Sequence, residues 1–287
     1  MRPTHLIYSG PNTAYGRRFV AMASGLHRYT IDDVGRIYSD GSFMLPSVST
    51  VLDVRETPER LKNWKKRKKR SGEYESYMSY TQNRGTLIHE ACLQSVMPED
   101  DSGDPIKVLW GKEEDNAEAG LKEHNNYDRY KTDEELALQM WEYIRTITGI
   151  GPDNDGAEVL DVETFVTNED IGYAGQFDLL YHDTETDETV LADIKTSKGV
   201  FKKHQIQLAA YSMAVALPID RLEVLRMNPD RQDWDISSSH KWSTPRAELE
   251  DEFVRLRDKL DSIKLETIIE TIEDEGKESE DVLFEEV

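Results

Sequence analysis

Cysteine is the residue that this chain of 287 amino acids most nearly lacks. Cys92 stands alone in the sequence, which excludes an intramolecular disulfide and any zinc or iron–sulfur site built from four cysteines. No apolar run approaches the roughly 18 residues that a bilayer span needs. The opening MRPTHLIYSG lacks the basic-then-apolar pattern of a secretory signal. We therefore expect a soluble, intracellular protein with no membrane partner.

The chain also lacks a net positive charge, because its formal charge is -22. A strongly negative net charge argues against a nucleic-acid partner. The distribution of charge matters more than the sum. Residues 248–287 contain sixteen Asp or Glu against five Lys or Arg, so about half of the net negative charge lies there. Residues 55–70 contain nine Lys or Arg against two Glu. This basic segment predicts either a phosphate-backbone contact or a solvated helix face.

The sequence texture divides the chain into three parts. Residues 1–83 combine short alternating segments around SDGS with the basic segment, and predict a small hairpin followed by a helical region. Residues 84–268 hold the core, with an acidic insertion near 98–120 that predicts a loop. Residues 269–287 are acidic and poor in apolar side chains, so we expect a disordered tail that could contact a basic protein partner.

Three helices are predicted before the middle of the chain. One begins at Pro58, because proline suits the first helical turn, and passes through the basic segment. The next lies around RGTLIHEACLQSV and ends before Pro98. The third covers residues 133–148 and has apolar residues at helical spacing, namely Leu136, Met140, Ile144 and Ile147.

Extended segments follow the third helix. AEVLDVETFVTN, GYAGQFDLLYHD and ETVLADIKTS alternate in polarity and are joined by the turn-rich pieces TNEDIG and TETDE, which predicts three antiparallel strands. A helix over residues 200–217, a strand in DRLEVLRMNPD and a final helix over residues 245–268 complete the pattern. The sequence therefore predicts an α/β fold.

Two carboxylates and one ammonium group are expected to meet on neighbouring strands. The turn TETDE pairs the strand of Asp178 with that of Asp193 and Lys195, and the last two point to one face because they are two residues apart. Oxygen ligands of this kind suit Mg²⁺ or Mn²⁺, and the Ile194 carbonyl is a candidate third ligand. The metal and Lys195 would then act on a scissile phosphate.

An Asp-x-Lys pair on a strand is by itself a weak signal, because surface strands often pair opposite charges. Here the pair lies among Val190, Leu191, Ala192 and Ile194, where a merely solvated role is unfavourable. On the next helix Gln207 and Tyr211 share one face and could hydrogen-bond towards Lys195 or DNA. The alternative for this second pair is a core tyrosine beside an exposed amide.

The order GTLIHE, GYAGQFDLL, ADIKTSK and QIQLAAY resembles the motif series of RecB-like exonucleases in the PD-(D/E)XK nuclease superfamily. The upstream LPSVSTVL and the Trp-containing basic helix are similar to the mitochondrial genome maintenance exonuclease and related phage exonucleases. The resemblance implies a restriction-endonuclease-like α/β core with a central mixed sheet flanked by helices, plus N-terminal helical additions. Many relatives carry an iron–sulfur cluster held by four cysteines, and Cys92 alone excludes that cluster.

The resemblance also implies roles for individual residues. Asp178 and Asp193 bind metal, and His89 is a metal ligand or contacts a second metal. Lys195 is catalytic, and Gln207 and Tyr211 support the site or the DNA. An acidic residue at the place of Glu163 lines some family sites, and a salt bridge at the rim of the site explains it equally well. The candidate DNA contacts are Lys62, Trp64, Lys65, Lys66, Arg67, Lys68, Lys69, Arg70, Arg84 and Thr196.

The leading hypothesis is a metal-dependent exonuclease that acts on single-stranded DNA or on free DNA ends in replication, recombination or repair. A phage or viral origin is one alternative, and the expected location is the cytoplasm, or the host-cell cytoplasm for a phage or viral protein. Aromatic residues around the basic segment, Trp64, Tyr74, Tyr77 and Tyr80, either stack on bases or pack between helices. The competing hypotheses are a structure-specific or duplex endonuclease of the same superfamily and a catalytically inactive DNA-binding relative.

Overall fold

Short strands open the described part of the chain, which comprises residues 27–31, 35–39, 44–97, 112–152 and 154–261 of the computed structural model. The first three are β1 (His27–Ile31), β2 (Gly35–Ser39) and β3 (Met44–Pro46), and they form one antiparallel sheet in that order. The predicted hairpin is therefore confirmed and is extended by a third strand. Helix α1 (Val48–Asp53) follows at once, because the Ser47 hydroxyl accepts the Thr50 N–H at 3.0 Å and caps it.

Four helices precede the main sheet: α2 (Glu59–Arg70), α3 (Tyr74–Gln94), α4 (Lys112–Glu123) and α5 (Tyr127–Thr148). Pro58 stands immediately before α2, as predicted. Helix α3 begins ten residues before the predicted segment RGTLIHEACLQSV, directly after the turn at Gly72, whose φ is 70°, and it continues through Gly85. None of the described helices is both long enough and apolar enough to cross a bilayer.

The loop predicted for the acidic insertion is wrong over residues 112–120, which belong to α4. The residues Ala117 and Leu121 are four apart and buried in the core that α3 and α5 share. Their helical spacing outweighs the acidic composition of the surrounding positions, of which Asp115 is exposed and Glu114 is buried. Residues 98–111 lie outside the described residues, as does the acidic tail at 269–287.

The prediction that Ile147 belongs to the buried apolar face of α5 is also wrong. Met140 and Ile144 are buried and Leu136 is partly buried, but Ile147 is 63% exposed. The packed part of α5 ends before this last turn, where Gly149 takes a left-handed φ of 71° and terminates the helix.

The main sheet has five strands in the order β4-β5-β6-β7-β8. Their bounds are β4 (Ala157–Asn168), β5 (Tyr173–Asp183), β6 (Glu188–Lys195), β7 (Arg221–Asn228) and β8 (Asp233–Ser238). Strands β4, β5 and β6 form the predicted antiparallel meander, and helix α6 (Lys202–Ala214) connects β6 to its parallel neighbour β7. Strand β8 pairs antiparallel with β7 and was not predicted.

Helices cover both faces of this mixed sheet, which confirms the expected α/β core. Alternation along the strands separates two apolar clusters: Leu179 and Ala192 pack towards α3 and α5, whereas Leu180 and Leu191 pack towards α1, α6 and α7 (Arg246–Asp261). The final helix was predicted to run to Ile268, and the part beyond residue 261 lies outside the described residues.

Candidate active site

The candidate site lies where β5 and β6 stop pairing. Their last ladder pair is Leu179 with Ala192, so the same register places Asp178 opposite Asp193 just beyond it. The Asp178 carboxylate accepts the Ile194 N–H at 2.7 Å. Because the N–H and C=O of one strand residue point to the same edge, the Ile194 carbonyl lies on the Asp178 side of β6.

His89, Glu163 and Asp178 converge from three elements, α3, β4 and β5. His89 Nε2 lies 2.9 Å from Asp178 Oδ2, and His89 Nδ1 lies 3.3 Å from Glu163 Oε1. One ligand atom from each residue falls within 4.8 Å of the others. Ligands on adjacent positions of an octahedral Mg²⁺ with bonds of about 2.1 Å stand about 3 Å apart. The donor types therefore suit a divalent cation, and the three side chains are near enough to one another to converge on a single ion.

A backbone irregularity in β4 turns Glu163 towards this cluster. The register shifts between Val159 and Asp161, and Glu163 has a φ of 49°, in the left-handed region that non-glycine residues seldom adopt. The Asp161 carboxylate accepts the Val162 N–H at 2.9 Å, and the Gln176 amide donates to the Glu163 carbonyl at 3.2 Å. Strain of this kind costs about 1–3 kcal/mol and is concentrated at functional sites.

Replacing Glu163 tests whether the strain serves the site. We expect Glu163→Gly to be more stable than Glu163→Ala by about 1 kcal/mol, because only glycine adopts this φ without cost, while both variants lose most cleavage. Urea unfolding in EDTA and a cleavage assay provide the two measurements. Equal stability of the two variants would show that β4 relaxes its backbone once the carboxylate is gone.

Asp193, which the sequence predicts as a metal ligand, pairs with Lys195 beside the cluster and is not in the group of ligand atoms formed by His89, Glu163 and Asp178. Lys195 Nζ lies 2.7 Å from Oδ1 and 2.6 Å from Oδ2 of Asp193, whose side chain is 0% exposed. Burial raises the pKa of Asp193 to about 7, against the opposing effect of Lys195. Burial lowers the pKa of Lys195, but Asp193 and Asp178 outweigh it and leave the pKa above its ordinary value. Lys195 is thus held as a cation.

The electrostatics of the cluster favour a positive charge between its carboxylates. Burial lowers the pKa of His89, but Asp178 and Glu163 outweigh this effect and raise it to about 9. Burial raises the pKa of Asp178, but His89 and Lys195 together hold it below its ordinary value. The Asp178 carboxylate is therefore available as an anionic ligand.

Helix α6 packs beside these strands and carries the two residues of the fourth motif. The Gln207 amide donates to the Tyr211 hydroxyl at 3.1 Å, and Tyr211 is 5% exposed. A Cβ at Gly175 would lie 2.5 Å from the Tyr211 ring, so glycine in β5 permits this close approach. The geometry is that of a packed tyrosine with a partly exposed amide.

Sequence reasoning did not single out His204, which stands three residues before Gln207 on the same side of α6. Burial lowers the pKa of His204 to about 3, with a further lowering by Lys195 and Lys203, so the imidazole is neutral. The spacing of positions 204, 207 and 211 was the signal that could have identified it.

Two expected DNA-facing residues turn out to be structural. Arg84 is 4% exposed, and its guanidinium lies 2.5 Å from Asp133 and 3.2 Å from Asp230. Tyr80 is 3% exposed and donates to Asp133 at 2.6 Å, which removes it from base stacking. Both face inward because α3 must bury a stripe against α5. Their burial favours the packing alternative for Tyr80 and a structural role for Arg84.

The other expected DNA contacts lie at the surface or close to it. Thr196 is half-buried directly after β6, with its hydroxyl near Gly85 of α3. Trp64 packs edge-to-face on Tyr77 and Tyr74, with ring centroids 5.4 and 6.2 Å apart, which favours helix packing over base stacking for these rings. The remaining expected contacts are residues of α2, which has no buried side chain.

The mixed sheet brings two carboxylates, a histidine and a buried Asp–Lys pair together at the ends of β5 and β6, a donor set that suits metal-dependent hydrolysis of phosphodiesters. The model of the PD-(D/E)XK nuclease superfamily matches residues 60–277, and the chain belongs to that superfamily. No curated protein matches the sequence. A solved structure titled "Crystal structure of SSO0001" is 17% identical, covers 53% of this chain and 68% of its own, and has a TM-score of 0.29. The family assignment rests on the family model, not on that distant likeness.

Proposed function

We propose that this protein is a Mg²⁺- or Mn²⁺-dependent DNA exonuclease of the RecB-like type, which removes nucleotides from single-stranded ends. The observation that carries the proposal is the convergence of His89, Glu163 and Asp178 beside the Asp193–Lys195 pair. Carboxylates suit both ions, and Mn²⁺ accepts the additional imidazole nitrogen readily. The order of the four motifs favours the RecB-like type over other branches of the superfamily.

The site residues have two roles: some ligate the metal ion, and one stabilises the negative charge of the transition state. His89, Glu163 and Asp178 would ligate the cation, with the Ile194 carbonyl on the same side, and the bound ion would supply an activated water and neutralise phosphate charge. Lys195 stands beside this position with its ammonium fixed by Asp193. It would stabilise the negative charge that develops on the phosphate oxygens, because it is preorganised and shielded from water.

The presence of all the site residues also bears on the two competing hypotheses, an inactive relative and an endonuclease. A buried Asp–Lys pair and a strained Glu163 are costly to maintain, so an inactive relative has little reason to retain them. The endonuclease hypothesis uses the same residues and differs in whether a free end is required. A role in replication, recombination or repair is part of the proposal and follows from the need for DNA ends.

Closed and open strands of the same sequence separate exonuclease from endonuclease. We expect linear single-stranded DNA to be degraded with Mg²⁺ or Mn²⁺, and the covalently closed circle to survive, because an exonuclease needs an end to enter the site. EDTA should stop the reaction by removing the ion that activates water. End-labelled linear DNA and unlabelled circles, followed on denaturing gels, provide the measurement.

Duplex DNA of the same sequence serves as the control for strand preference. Cleavage of the circle at the rate of the linear strand would establish the endonuclease hypothesis instead. Cleavage that persists in EDTA would reject the metal site.

A further inference from the structure

Helix α2 is a concentration of positive charge in an acidic protein. It contains eight Lys or Arg among twelve residues, with Glu59 as its one acidic residue, in a chain of net charge -22. Among the described residues, ion pairs involve two of these cations, Lys62 with Glu59 and Lys68 with Glu73. The remaining six have no carboxylate partner in that part of the chain: Arg60, Lys65, Lys66, Arg67, Lys69 and Arg70.

The two sides of α2 differ in what they contact. On one side, which we call the anchor face, Trp64 packs on the rings of Tyr74 and Tyr77, and the ammonium groups of Lys68 and Lys69 lie over those same rings at 5.5 and 5.0 Å. These contacts hold α2 against the first turns of α3. The anchor face therefore has a structural partner.

The opposite side, which we call the free face, lines an open groove of about 520 Å³. Arg60, Asn63, Arg67 and Arg70 follow helical spacing along one stripe, with Lys66 beside it, and all five are exposed. No apolar side chain lines this groove among the described residues. A protein interface is usually depleted of lysine and built around apolar or aromatic anchors, which this groove does not offer.

The chemistry of the free face matches a phosphodiester backbone. Guanidinium groups present planar donor pairs that fit phosphate oxygens, and the Asn63 amide adds a neutral donor. Since the neighbouring aromatic rings are occupied on the anchor face, base stacking contributes little there. Recognition by charge alone is independent of sequence and strongly dependent on salt.

Helix α3 sets the axial distance between the anchor of α2 and the metal-ligand cluster. Fifteen residues separate Tyr74, which anchors α2, from His89 in the cluster. A rise of 1.5 Å per residue converts this interval into about 22 Å. A stacked strand advances about 3.4 Å per nucleotide, so this distance corresponds to about six nucleotides.

We propose that the free face of α2 binds the phosphate backbone of the DNA strand several nucleotides from the cleavage site. The proposal rests on the proposed nuclease function and adds to it the surface, the type of contact and the distance. It assigns the DNA contact to Arg60, Lys66, Arg67 and Arg70, and it removes Trp64, Lys68 and Lys69 from that role.

Two variants that remove the same charge from opposite faces test this assignment. Arg67→Gln/Arg70→Gln neutralises the free face, and Lys68→Gln/Lys69→Gln neutralises the anchor face. Binding is measured by fluorescence anisotropy with a single strand of about 20 nucleotides in Asp178→Asn protein with Mg²⁺, across salt concentrations. We expect the free-face variant to bind about tenfold more weakly and its salt slope to fall by about 1.4, while the anchor-face variant changes much less.

Substrate length provides the second readout. In proteins with intact Asp178, the free-face variant should raise KM for the long strand about tenfold with little change in kcat, and the effect should shrink to about twofold or less on a trinucleotide, which cannot reach α2. Melting temperatures of both variants, compared with wild type, exclude general unfolding as the cause.

Equal losses in both variants, or an unchanged salt slope in the free-face variant, would overturn the proposal and leave α2 as a solvated helix. A wild-type protein that binds the long strand with the expected slope but cleaves no DNA would overturn the proposed function and support this inference. Absence of binding to any strand would overturn the inference and direct attention to a protein partner.

Discussion

Cleavage should fall by at least about 10³-fold in kcat when Asp178 is replaced by Asn, while the protein stays folded. The Asp178 carboxylate lies 2.9 Å from His89 Nε2 on α3 and 2.7 Å from the backbone nitrogen of Ile194 on β6. Asparagine keeps the shape and can still accept the Ile194 N–H, but it removes the negative charge that a divalent cation requires. Single-turnover cleavage with saturating Mg²⁺ and enzyme, together with urea unfolding, measures both effects.

Asp187→Asn is the matched control, because it makes the same chemical change in the turn between β5 and β6. Its side chain is 93% exposed and lies outside the metal-ligand cluster, and asparagine tolerates its φ of 58°. This control should cleave like wild type. If Asp178→Asn retained turnover within about tenfold of wild type, Asp178 would not be the central ligand.

Lys195→Met is expected to abolish cleavage and also to lower the free energy of unfolding by about 3–5 kcal/mol. Asp193 has its two oxygens against the Lys195 ammonium and is fully buried, so removing that cation leaves a buried carboxylate without its counter-charge. The loss of cleavage in a single variant at position 195 therefore combines a catalytic effect with a loss of folding stability. Urea unfolding at neutral pH, alongside the cleavage assay, quantifies the two losses separately.

The double variant Asp193→Asn/Lys195→Met resolves the two effects. Removing both charges eliminates the uncompensated carboxylate, so we expect most of the lost stability to return. Cleavage should not return, because no cation remains to stabilise the phosphate oxygens. A double variant as unstable as Lys195→Met would mean that the cost arises from packing at position 195. Recovery of activity would reject Lys195 as a catalytic residue.

Local sequence patterns were sufficient for much of the main sheet. Strands β4, β5 and β6 were predictable because each extended segment ends at a turn-rich piece. The pairing of these strands then placed Asp178 opposite Asp193, as the TETDE turn indicated. These features depend on residues that are close together in the sequence, so a short stretch of sequence is enough to predict them.

Errors arose where the deciding contact is distant in sequence. Helix α4 was hidden by its acidic composition, because Ala117 and Leu121 gain their burial only from the helices beside them. Strand β8 was missed because its short polar sequence becomes a strand by pairing with β7. Arg84 was a candidate DNA contact, yet Asp230, which is 146 residues away, pairs with its buried guanidinium.

The residues of the candidate site show the same division. The sequence by itself determined the chemistry: an Asp and an Asp-x-Lys on adjoining strands, a histidine on a preceding helix and a lone cysteine that excludes a cluster. Only the tertiary structure decided that Glu163 joins His89 and Asp178, since this depends on a bulge and a positive φ in β4. It also decided which side of α2 is free, because the aromatic anchor comes from α3. Alternation along a strand fixes which face a side chain takes, whereas the meeting of side chains from three elements depends on how those elements pack.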